Sequence, residues 1–488
     1  MGTRIEKSYE INRRQFLTSV GAGAVAAAMS PLLSQLPAAQ AADNIAEAGD
    51  QQRRPNFVII FCDDLGYGDI GCFGAKAIKT PNIDKMADEG MKFTKFYVAS
   101  PVCSPSRAAL LTGCYPKRVG INIVLHPTHD FGLNPTEITL AKLLKQQDYA
   151  TACVGKWHLG HHAEFLPTRH GFDSYFGIPY SNDMKPTVLM RDEKVIENDT
   201  DQDRLTERYT QESVDFITRN KDRPFFLYLA HTMPHIPLHV SEKFKGRSAG
   251  GLYGDVVECI DWSAGQIVQT LRDLGLEKNT YVIFTSDNGP WLQKGKDAGT
   301  AGPLRGGKFG TCEGGVREPF VLWAPGHVPE GKTCTELAAS IDLYPTLAKL
   351  AGARLPDNRV IDGKDISALW AGKQGAKSPH EEFFYYSSTG RLEAIQSGPW
   401  KLRITTPKAA KSVPAGGTAA ATASSPAAVQ IELFDLEKDI GESTNLAQKD
   451  PDTVAKLKLR MEQFDAELEK NIRPAGKVAS ASTPTTKN

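Results

Sequence analysis

A single cysteine, Cys103, stands where a helix is predicted to begin, in the segment SPVCSPSRAALLTG. Ser104 is predicted as the N-cap of this helix and Pro105 as its first residue, because proline has no amide hydrogen to leave unpaired there. Gly113 is predicted to end the helix. The positive end of a helix dipole favours negative charge. A thiol here, its oxidised derivative, or an anion that docks beside it would therefore feel a stabilising field.

Two pairs of adjacent oxygen-bearing side chains each follow an apolar run. Asp63 and Asp64 follow NFVIIFC, whereas Asp287 and Asn288 follow TYVIFTS, and glycine comes soon after each pair. Neighbours within a strand point to opposite faces, so both members of a pair converge only where the chain leaves its strand. One such pair alone is most often a turn or a helix cap. The repetition predicts a hard oxygen site, suited to calcium or magnesium rather than zinc.

Five cationic side chains lie beside the unusual cysteine or near the ends of predicted strands. They are Arg107, Lys156, His158, His235 and Lys308. A lone histidine at a strand end is more often structural. A metal ion and several fixed cations around one nucleophile, however, suit an oxyanion ester, because charge on transferred oxygens needs preorganised positive partners. Phosphate and sulfate esters both meet this description.

Other polar residues in the same segments receive a structural interpretation. The GGK sequence that ends at Lys308 lacks the spacing of a phosphate-binding loop, so nucleotide binding is discounted. Glu313 and Arg317 are predicted to form a structural ion pair. His231 and His239 are predicted to take no part in the chemistry.

Alternating apolar runs and helical patterns must position these residues. From about residue 54, buried strands such as NFVIIFCDD, ATACVGKWH and PFFLYLAHT alternate with amphipathic helices. This order predicts an α/β fold with a large, mixed, mostly parallel sheet sandwiched by helices. Ligands bind at the carboxyl edge of such sheets. The catalytic domain is predicted to span residues 54–375.

The pattern changes after about residue 376 and predicts a smaller α+β subdomain over residues 376–473. Four apolar segments predict an antiparallel sheet, and a helix follows from Asp450 to about Lys470 with Pro451 at its first position. Residues 407–429 are small and are predicted to form a flexible loop between two strands. Residues 474–488 are predicted to be a disordered tail.

Composition excludes several classes of protein. The 488 residues are 41% hydrophobic and 23% charged, as in a globular protein with a large core. Fifty-seven basic residues balance 57 acidic ones, so no overall field would hold nucleic acid or an anionic membrane. The eight cysteines form no CxxC pair, which argues against a zinc ribbon or a thioredoxin-like site.

The first 41 residues are interpreted as an export signal. Arg13 and Arg14 precede an apolar Ala/Gly-rich stretch that ends in Ala39-Gln40-Ala41, and this pattern resembles a twin-arginine signal. The twin-arginine machinery carries folded proteins to the periplasm or out of the cell, so a disulfide framework is not expected. No later stretch is long and apolar enough to anchor the chain in a membrane.

The segment from Cys103 to Arg107 resembles the sulfatase signature C-x-P-S-R, and the usual LLTG follows it. Further motifs extend the resemblance over nearly all of residues 54–447. They include DDLGYGDIGCFG, TPNIDKMADEG, RVGI, GLNPTEITLAKLLK, GKWHLG, HGFDSYFGIPYSND, SDNGP, GGKFGTCEGGVREP, IDLYPTLAKLAG and ELFDLEKD. The GIPYSND segment is similar to arylsulfatase A-like members. The chain is thus identified as a member of the formylglycine-dependent type I sulfatases, in the alkaline phosphatase superfamily.

This resemblance implies hydrolysis of sulfate monoesters in small molecules or carbohydrates. In the family, a formylglycine-generating enzyme or a radical maturase oxidises the motif cysteine, here Cys103, to formylglycine (3-oxoalanine). The hydrated aldehyde attacks sulfur, and its second hydroxyl then loses a proton and expels sulfate. A serine or a thiol has no second hydroxyl with which to do so.

Carried over motif by motif, the resemblance implies a role for each candidate residue. Arg107 would steady the hydrated aldehyde, and His158 would take the proton that drives elimination. The ligands of one Ca2+, or possibly Mg2+, would be Asp63, Asp64, Asp287, Asn288 and an oxygen of modified Cys103. The groups that bind sulfate would be Lys156, His235 and Lys308. His235 or Lys308 would also help the leaving oxygen depart.

Two alternatives from different classes are weighed against this function. A phosphomonoesterase or phosphodiesterase of the same superfamily would share the fold, but such enzymes generally present serine or threonine as nucleophile rather than Cys103. A non-catalytic protein that binds sulfated glycans would have no physical need for the full cationic set. The sequence does not distinguish an aryl sulfate from a sulfated sugar as the substrate.

Overall fold

The computed structural model describes residues 53–406 and 428–478. The export signal expected over residues 1–41 lies outside the described residues, as do 407–427 of the expected loop and 479–488 of the expected tail.

Seventeen strands and nine α-helices make up the described parts of the chain. The strands are β1 (Asn56–Cys62), β2 (Met91–Tyr97), β3 (Phe131–Gly132), β4 (Ala150–Gly155), β5 (Ser174–Gly177), β6 (Leu189–Arg191), β7 (Lys194–Glu197), β8 (Phe225–Ala230), β9 (Thr280–Ser286), β10 (Arg317–Trp323), β11 (Lys332–Cys334), β12 (Ala338–Ala339), β13 (Glu382–Tyr386), β14 (Leu392–Ser397), β15 (Trp400–Thr405), β16 (Gln430–Asp435) and β17 (Gly476–Lys477). The helices are α1 (Pro81–Asp88), α2 (Cys103–Thr112), α3 (Leu140–Lys145), α4 (Leu205–Arg219), α5 (Gly251–Asp273), α6 (Glu313–Val316), α7 (Leu343–Leu350), α8 (Ser367–Trp370) and α9 (Pro451–Glu469).

Eleven of the strands form one central sheet, in the order β11-β2-β10-β9-β1-β8-β4-β5-β6-β7, with β12 beside β2. Strand β1 pairs in parallel with β8 and β9, and β4 pairs in parallel with β8 and β5. Strand β10 and the β6–β7 hairpin run antiparallel to their neighbours. The predicted large, mixed, mostly parallel sheet is therefore confirmed.

The central strands are continuous apolar runs because both faces of the sheet are covered. In β1, Phe57, Ile59 and Phe61 point into one hydrophobic core, and the intervening residues Val58 and Ile60 point into the other. Helices α2, α3, α7 and α8 cover the first face, whereas α1, α4 and α5 cover the second. Helix α2, which carries Cys103, is buried along its whole length.

The four strands β13 to β16 form a separate antiparallel sheet, as the sequence predicted. Helix α9 packs on it through Leu457, Met461 and Leu468, and Phe464 stacks on Phe384 with 3.7 Å between ring centroids. The core of this sheet also contains side chains from β2 and α2 of the catalytic part. The small sheet therefore lies against the element that carries Cys103.

Two predicted boundaries were wrong. Residues 474–478 are not disordered, because β17 pairs with β3 and the Val478 amide donates to the Asp130 carbonyl at 3.0 Å. Ser104 is not an N-cap, since α2 begins at Cys103 and the Ser104 hydroxyl accepts a hydrogen bond from the Leu125 amide at 3.0 Å. The predicted end of this helix is confirmed at Gly113, where φ is 65°.

All eight cysteines lie within the described residues, and each is a free thiol. Among the described helices, none combines the length and the apolar character needed to cross a bilayer.

Candidate active site

The two oxygen-bearing corners meet because the strands before them are paired. Strands β1 and β9 run in parallel with Cys62 in register with Ser286, so their next residues leave the sheet side by side. The Asp287 amide donates to the Cys62 carbonyl at 3.0 Å, and the Asp64 amide donates to Asp287 Oδ1 at 3.1 Å. The segments that follow β1 and β9, more than 200 residues apart in sequence, thus lie side by side at one edge of the central sheet.

The adjacent carboxylates of Asp63 and Asp64 converge here because the backbone turns sharply at Asp64, where φ is 67°. This left-handed conformation costs a residue with a side chain about 1–3 kcal/mol and is concentrated at functional sites. The turn brings Asp64 Oδ1 to 2.7 Å from Asn288 Nδ2, which donates to it. The Ser286 hydroxyl supports the turn from beneath by accepting the Leu65 amide at 3.0 Å.

Three cationic side chains contact the carboxylates of the site. The Lys156 ammonium donates to Asp63 Oδ2, and the Lys308 ammonium donates to Asp64 Oδ2 at 2.9 Å. Arg107 donates through Nη2 to Asp287 Oδ2 at 2.7 Å and lies 3.5 Å from Asp63 Oδ1. All six side chains are at least 96% buried.

Burial raises the pKa of both Asp63 and Asp287, but the neighbouring charges lower only that of Asp63 below its ordinary value. Burial alone would raise the pKa of Asp63, but Lys156, His235 and Arg107 hold it well below its ordinary value of 3.8. Burial and the neighbouring Asp63 charge raise the pKa of Asp287 to about 7. The cluster therefore keeps Asp63 ionised and makes a second adjacent negative charge costly.

His158 presents one free ring nitrogen to the site. Its Nε2 lies 2.8 Å from the Leu125 carbonyl, which can only accept, so Nε2 carries the proton. Its Nδ1 is buried and has no hydrogen-bond partner. Burial, with Lys156 and Arg107 nearby, lowers the pKa of His158 well below 6.5. The ring is therefore neutral with an unshared lone pair at Nδ1.

His235 has the opposite arrangement. Its Nδ1 lies 2.6 Å from the Ile236 carbonyl and 3.0 Å from Asn182 Oδ1, so Nδ1 carries the proton. Its Nε2 faces Asp64 Oδ2 at 3.6 Å. Burial and the Lys308 charge lower the pKa of His235. The ring is fixed by Asn182 and points its second nitrogen into the carboxylate cluster.

Cys103 lines a cavity of about 160 Å3, together with His158, His235, Trp291 and Lys308. Its side chain is buried, and burial raises the pKa of the thiol to about 12 in spite of Lys156 and Lys308. For the unmodified residue, burial thus outweighs any stabilising field at the start of the helix. A helix dipole contributes about 0.3–1 kcal/mol, less than the desolvation of a buried charge.

The oxygen atoms of the site fit a divalent cation. Asp63, Asp64, Cys103 and His235 each offer one ligand atom within 4.8 Å of the others. Asp63 Oδ1 and Asn288 Oδ1 are buried without a hydrogen-bond partner, and such atoms are expected to contact a polar or charged group. The carboxylate oxygens of Asp63 and Asp64 and the amide oxygen of Asn288 are ligands that suit Ca2+ or Mg2+. Asp287 is outside this close group.

The other polar residues considered in the sequence occupy positions that fit structural roles. Arg317 pairs with Glu313 at 3.2 Å, which confirms the predicted ion pair. His231 contacts the Ser263 hydroxyl at 3.3 Å, and His239 contacts an exposed aspartate. Neither of these two histidines lines the cavity that holds Cys103.

Sequence reasoning missed four residues of the site. Ser181 accepts a hydrogen bond from Lys156 at 3.2 Å, and Asn182 orients His235. Both lie in the GIPYSND motif, which was a usable signal. Trp291 and Phe309 enclose Lys308, with ring centroids 4.5 and 5.4 Å from its ammonium nitrogen. An aromatic residue directly after Lys308, in a glycine-rich segment, was the available sign.

Comparison with known proteins is consistent with this geometry. The model of the sulfatase family matches residues 55–353, and the C-terminal region of aryl-sulfatase matches residues 378–487. N-acetylgalactosamine-6-sulfatase from Rattus norvegicus is 42% identical over 72% of this chain and 72% of its own. Arylsulfatase A from Homo sapiens is 41% identical over 81% of this chain and 83% of its own.

A solved structure extends the similarity to three dimensions. Ps i-CgsB, crystallised in complex with k-i-k-neocarrahexaose, is 30% identical with a TM-score of 0.73. The match covers 87% of this chain and 95% of that one. The family model, the relatives and the solved structure are all consistent with an active site at the ends of β1 and β9. The chain therefore belongs to the sulfatase family and is an enzyme that hydrolyses sulfate esters.

Proposed function

We propose that this sulfatase works through formylglycine made from Cys103 and through one divalent cation, Ca2+ or Mg2+. Asp63, Asp64, Asp287 and Asn288 would hold the cation together with an oxygen of modified Cys103. The proposal is carried by two buried oxygens, Asp63 Oδ1 and Asn288 Oδ1. Neither has a hydrogen-bond partner, and both belong to the cluster of carboxylates and their contacts beside Cys103. When bound, the ion supplies a Lewis acid that makes a hydroxyl group in contact with it more acidic.

The charges of the buried site favour an anionic substrate once a cation is present. Three carboxylates already face the three cations Arg107, Lys156 and Lys308. A divalent ion would add two positive charges to this balanced set of six groups. A sulfate ester would supply the missing negative charge, and Lys156, His235 and Lys308 would bind its oxygens.

The unmodified cysteine is a poor nucleophile, which supports its conversion. Burial raises the pKa of the Cys103 thiol to about 12, so almost none is ionised near neutral pH. Formylglycine, as its hydrate, supplies two hydroxyl groups on one carbon, one to attack sulfur and one to expel sulfate. A formylglycine-generating enzyme or a radical maturase would carry out the oxidation.

The chain's own residues would then move the protons. His158 Nδ1 has a free lone pair in the cavity that contains Cys103, so it would accept the hydroxyl proton at that side chain. Arg107, held by Asp287 and by the Lys156 carbonyl, would orient the modified residue. The Lys308 ammonium would deliver a proton to the leaving oxygen, and His235 would do so only after its Nε2 takes up a proton.

Peptide mass spectrometry and activity assays test this proposal together. Protein from its own host should contain an aldehyde at residue 103, and it should hydrolyse a generic aryl sulfate only until a chelator removes its metal. Added Ca2+ or Mg2+ should restore activity and identify the ion. The phosphoesterase alternative would be correct if the protein with an unmodified thiol cleaved phosphate esters well and did not cleave sulfate esters.

We also propose the substrate class and the route of the enzyme. The relatives support a sulfated carbohydrate or small molecule, since one is named for N-acetylgalactosamine 6-sulfate and one structure holds an oligosaccharide. The Arg13-Arg14 pair supports twin-arginine export to the periplasm or the medium. Replacement of both arginines by lysine should retain the protein in the cytoplasm, as cell fractionation would detect.

A further inference from the structure

A second cavity lies next to the one that contains Cys103. It has a volume of about 430 Å3 and is bounded by strands β14 and β15 and by the turn that follows β13. Phe309 lines both cavities, so the two are neighbours. Ligand pockets in proteins commonly occupy 300–1,000 Å3. The second cavity therefore has room for part of a substrate.

Phe309 has a backbone conformation that its own side chain disfavours. Its φ is 75°, in the left-handed region where glycine is the least strained residue. Glycines stand on each side of the Lys308-Phe309 pair, so the surrounding turn is already rich in that residue. The ring is nonetheless 40% exposed and packs edge-on against Trp291 at 5.2 Å. A strained, exposed aromatic residue beside a catalytic cavity indicates a binding role.

The rest of the second cavity is polar and slightly cationic. Two arginines, Arg391 and Arg403, line it together with a single carboxylate, Glu393. Its other polar groups are hydroxyls and one amide, from Ser387, Ser388, Thr389, Thr405, Thr406 and Gln430. A lining of hydroxyls and arginines suits a ligand with many hydroxyl groups and a negative charge.

The two arginines keep donors available for such a ligand. Arg391 uses Nη2 to bond Glu393 at 3.0 Å, and its side chain is 52% exposed. Arg403 bonds Thr311 through Nε at 3.0 Å and Glu432 through Nη1 at 2.6 Å. These bonds orient both guanidinium groups, and within residues 53–406 and 428–478 further N–H groups of each have no hydrogen-bond acceptor.

We propose that Phe309 and this cavity form a subsite for an acidic oligosaccharide, whose sulfated sugar enters the cavity of Cys103. The inference rests on the proposed function. The sugar next to the sulfate would lie against the Phe309 ring, and a carboxylate or sulfate of a further sugar would bind Arg391. A small aryl sulfate would leave the second cavity empty.

Kinetics on two substrates test this subsite. The probes are 4-nitrophenyl sulfate and a tetrasaccharide of alternating uronic acid and 6-sulfated N-acetylgalactosamine. Phe309→Gly and Arg391→Gln should each raise KM for the tetrasaccharide about 5-fold, and Arg391→Gln should leave kcat within about 2-fold. Arg391→Gln should also leave kcat/KM for the aryl sulfate within about 2-fold of the wild type, whereas Phe309→Gly, which removes an aromatic contact of Lys308, should lower it. The Arg391→Gln effect should shrink at high salt, because part of it is electrostatic.

Two controls separate binding from folding. Phe309→Gly relieves backbone strain, so its melting temperature should stay within about 2 °C of the wild type, and Phe309→Asn, which also tolerates this conformation, should reproduce the kinetics. Arg169→Gln is the matched control for Arg391. Its side chain is 53% exposed and pairs with Glu193 at 2.9 Å, outside both cavities.

The outcomes distinguish the subsite from the proposed function. The subsite assignment is wrong if both variants keep the wild-type KM for the tetrasaccharide, or if a wild-type enzyme active on the aryl sulfate neither binds nor cleaves the tetrasaccharide. Absence of all sulfate ester hydrolysis would overturn the proposed function instead. Calorimetric titration of the tetrasaccharide into wild type, Phe309→Gly and Arg391→Gln would still decide the subsite in that case.

Discussion

Two buried clusters of charge, one at the active site and one beneath the small sheet, differ in how completely they are bonded. In the second cluster Glu313 accepts from Lys401 at 2.7 Å, Tyr97 at 2.9 Å and Arg317 at 3.2 Å. Glu442 lies 3.2 Å from the same lysine and accepts the Glu313 amide. We call these residues the interface cluster, since they join α6 and β10 to β15.

The active site has a similar number of charges but leaves atoms open. Asp63 Oδ1, Asn288 Oδ1 and His158 Nδ1 are buried without hydrogen-bond partners. His158 lines the cavity that contains Cys103, whereas in the interface cluster the Glu313 carboxylate accepts three side-chain hydrogen bonds and Glu442 Oε1, the acceptor that lacks one, lies 3.2 Å from the Lys401 ammonium. Buried charge by itself therefore does not identify a catalytic site. A buried polar atom that lacks a hydrogen-bond partner and lies beside a cavity does identify one.

The largest expected effect comes from the residue that is proposed to be the reacting group. Cys103→Ala should lower kcat/KM for an aryl sulfate by about 10^3-fold or more, because no hydroxyl remains to attack sulfur. Thermal unfolding should change little. Retention of substantial activity in Cys103→Ala would refute the proposed mechanism, and Cys114→Ala provides a control for loss of a different buried thiol.

Breaking the interface cluster should affect stability rather than chemistry. Lys401→Met would leave Glu313 and Glu442 buried without their shared cation, and loss of one partner of a buried ion pair costs about 3–5 kcal/mol. Denaturant unfolding measures this loss. Lys438→Met, at an exposed lysine that pairs with Asp435, should leave the unfolding midpoint unchanged. A stable but inactive Lys401→Met protein would contradict the distinction between the clusters.

The active-site counterpart is Lys308→Ala. It should lower kcat/KM about 10^2-fold, because a fixed positive partner of the transferred sulfate is lost. Destabilisation should be smaller than for Lys401→Met, since the cavity next to Lys308 admits water or an ion to the Asp64 carboxylate. If Lys308→Ala and Lys401→Met destabilised the protein equally, the proposed difference between the active site and the interface cluster would be wrong.

A buried histidine with no hydrogen-bond partner provides the smallest expected effect. Burial lowers the pKa of His170 to about 3, so its folded form stays neutral while the unfolded chain takes up a proton below about 6.5. Stability from this group is present above pH 6.5 and falls as the pH decreases toward 3, by about 2 kcal/mol at pH 5.

Paired unfolding experiments at pH 7 and pH 5 isolate this contribution. The stability difference between the wild type and His170→Gln should narrow by about 2 kcal/mol at pH 5, since glutamine does not titrate. A difference that stays constant between the two pH values would show that His170 is protonated in the folded protein.

The sequence predicted the positions of the acidic corners because paired parallel strands must end at one edge. The positions of Asp63 and Asp287 could be predicted from the apolar runs before them and from the rule that ligands bind at the carboxyl ends of parallel strands. The sulfatase motifs then predicted the family, which the comparisons confirm. The roles carried over to individual residues are still proposals.

Features that depend on distant contacts were not predictable. The tautomer of His158 is set by the carbonyl of Leu125, 33 residues earlier in the chain. Ser104 bonds to a loop amide rather than capping its helix, and β17 is ordered only because β3 provides an edge for it. No local pattern encodes these partners. They emerge once the chain has packed.

The complete burial of α2 imposes an order in time on the biosynthesis of this enzyme. All ten residues of the helix are buried in the finished fold and Cys103 is reached only through its cavity, so a maturation enzyme could not bind this segment there. Under the proposed function, oxidation must reach the nascent chain before the helix docks onto the sheet. A polypeptide that folds too quickly would be trapped as a well-formed but inert protein.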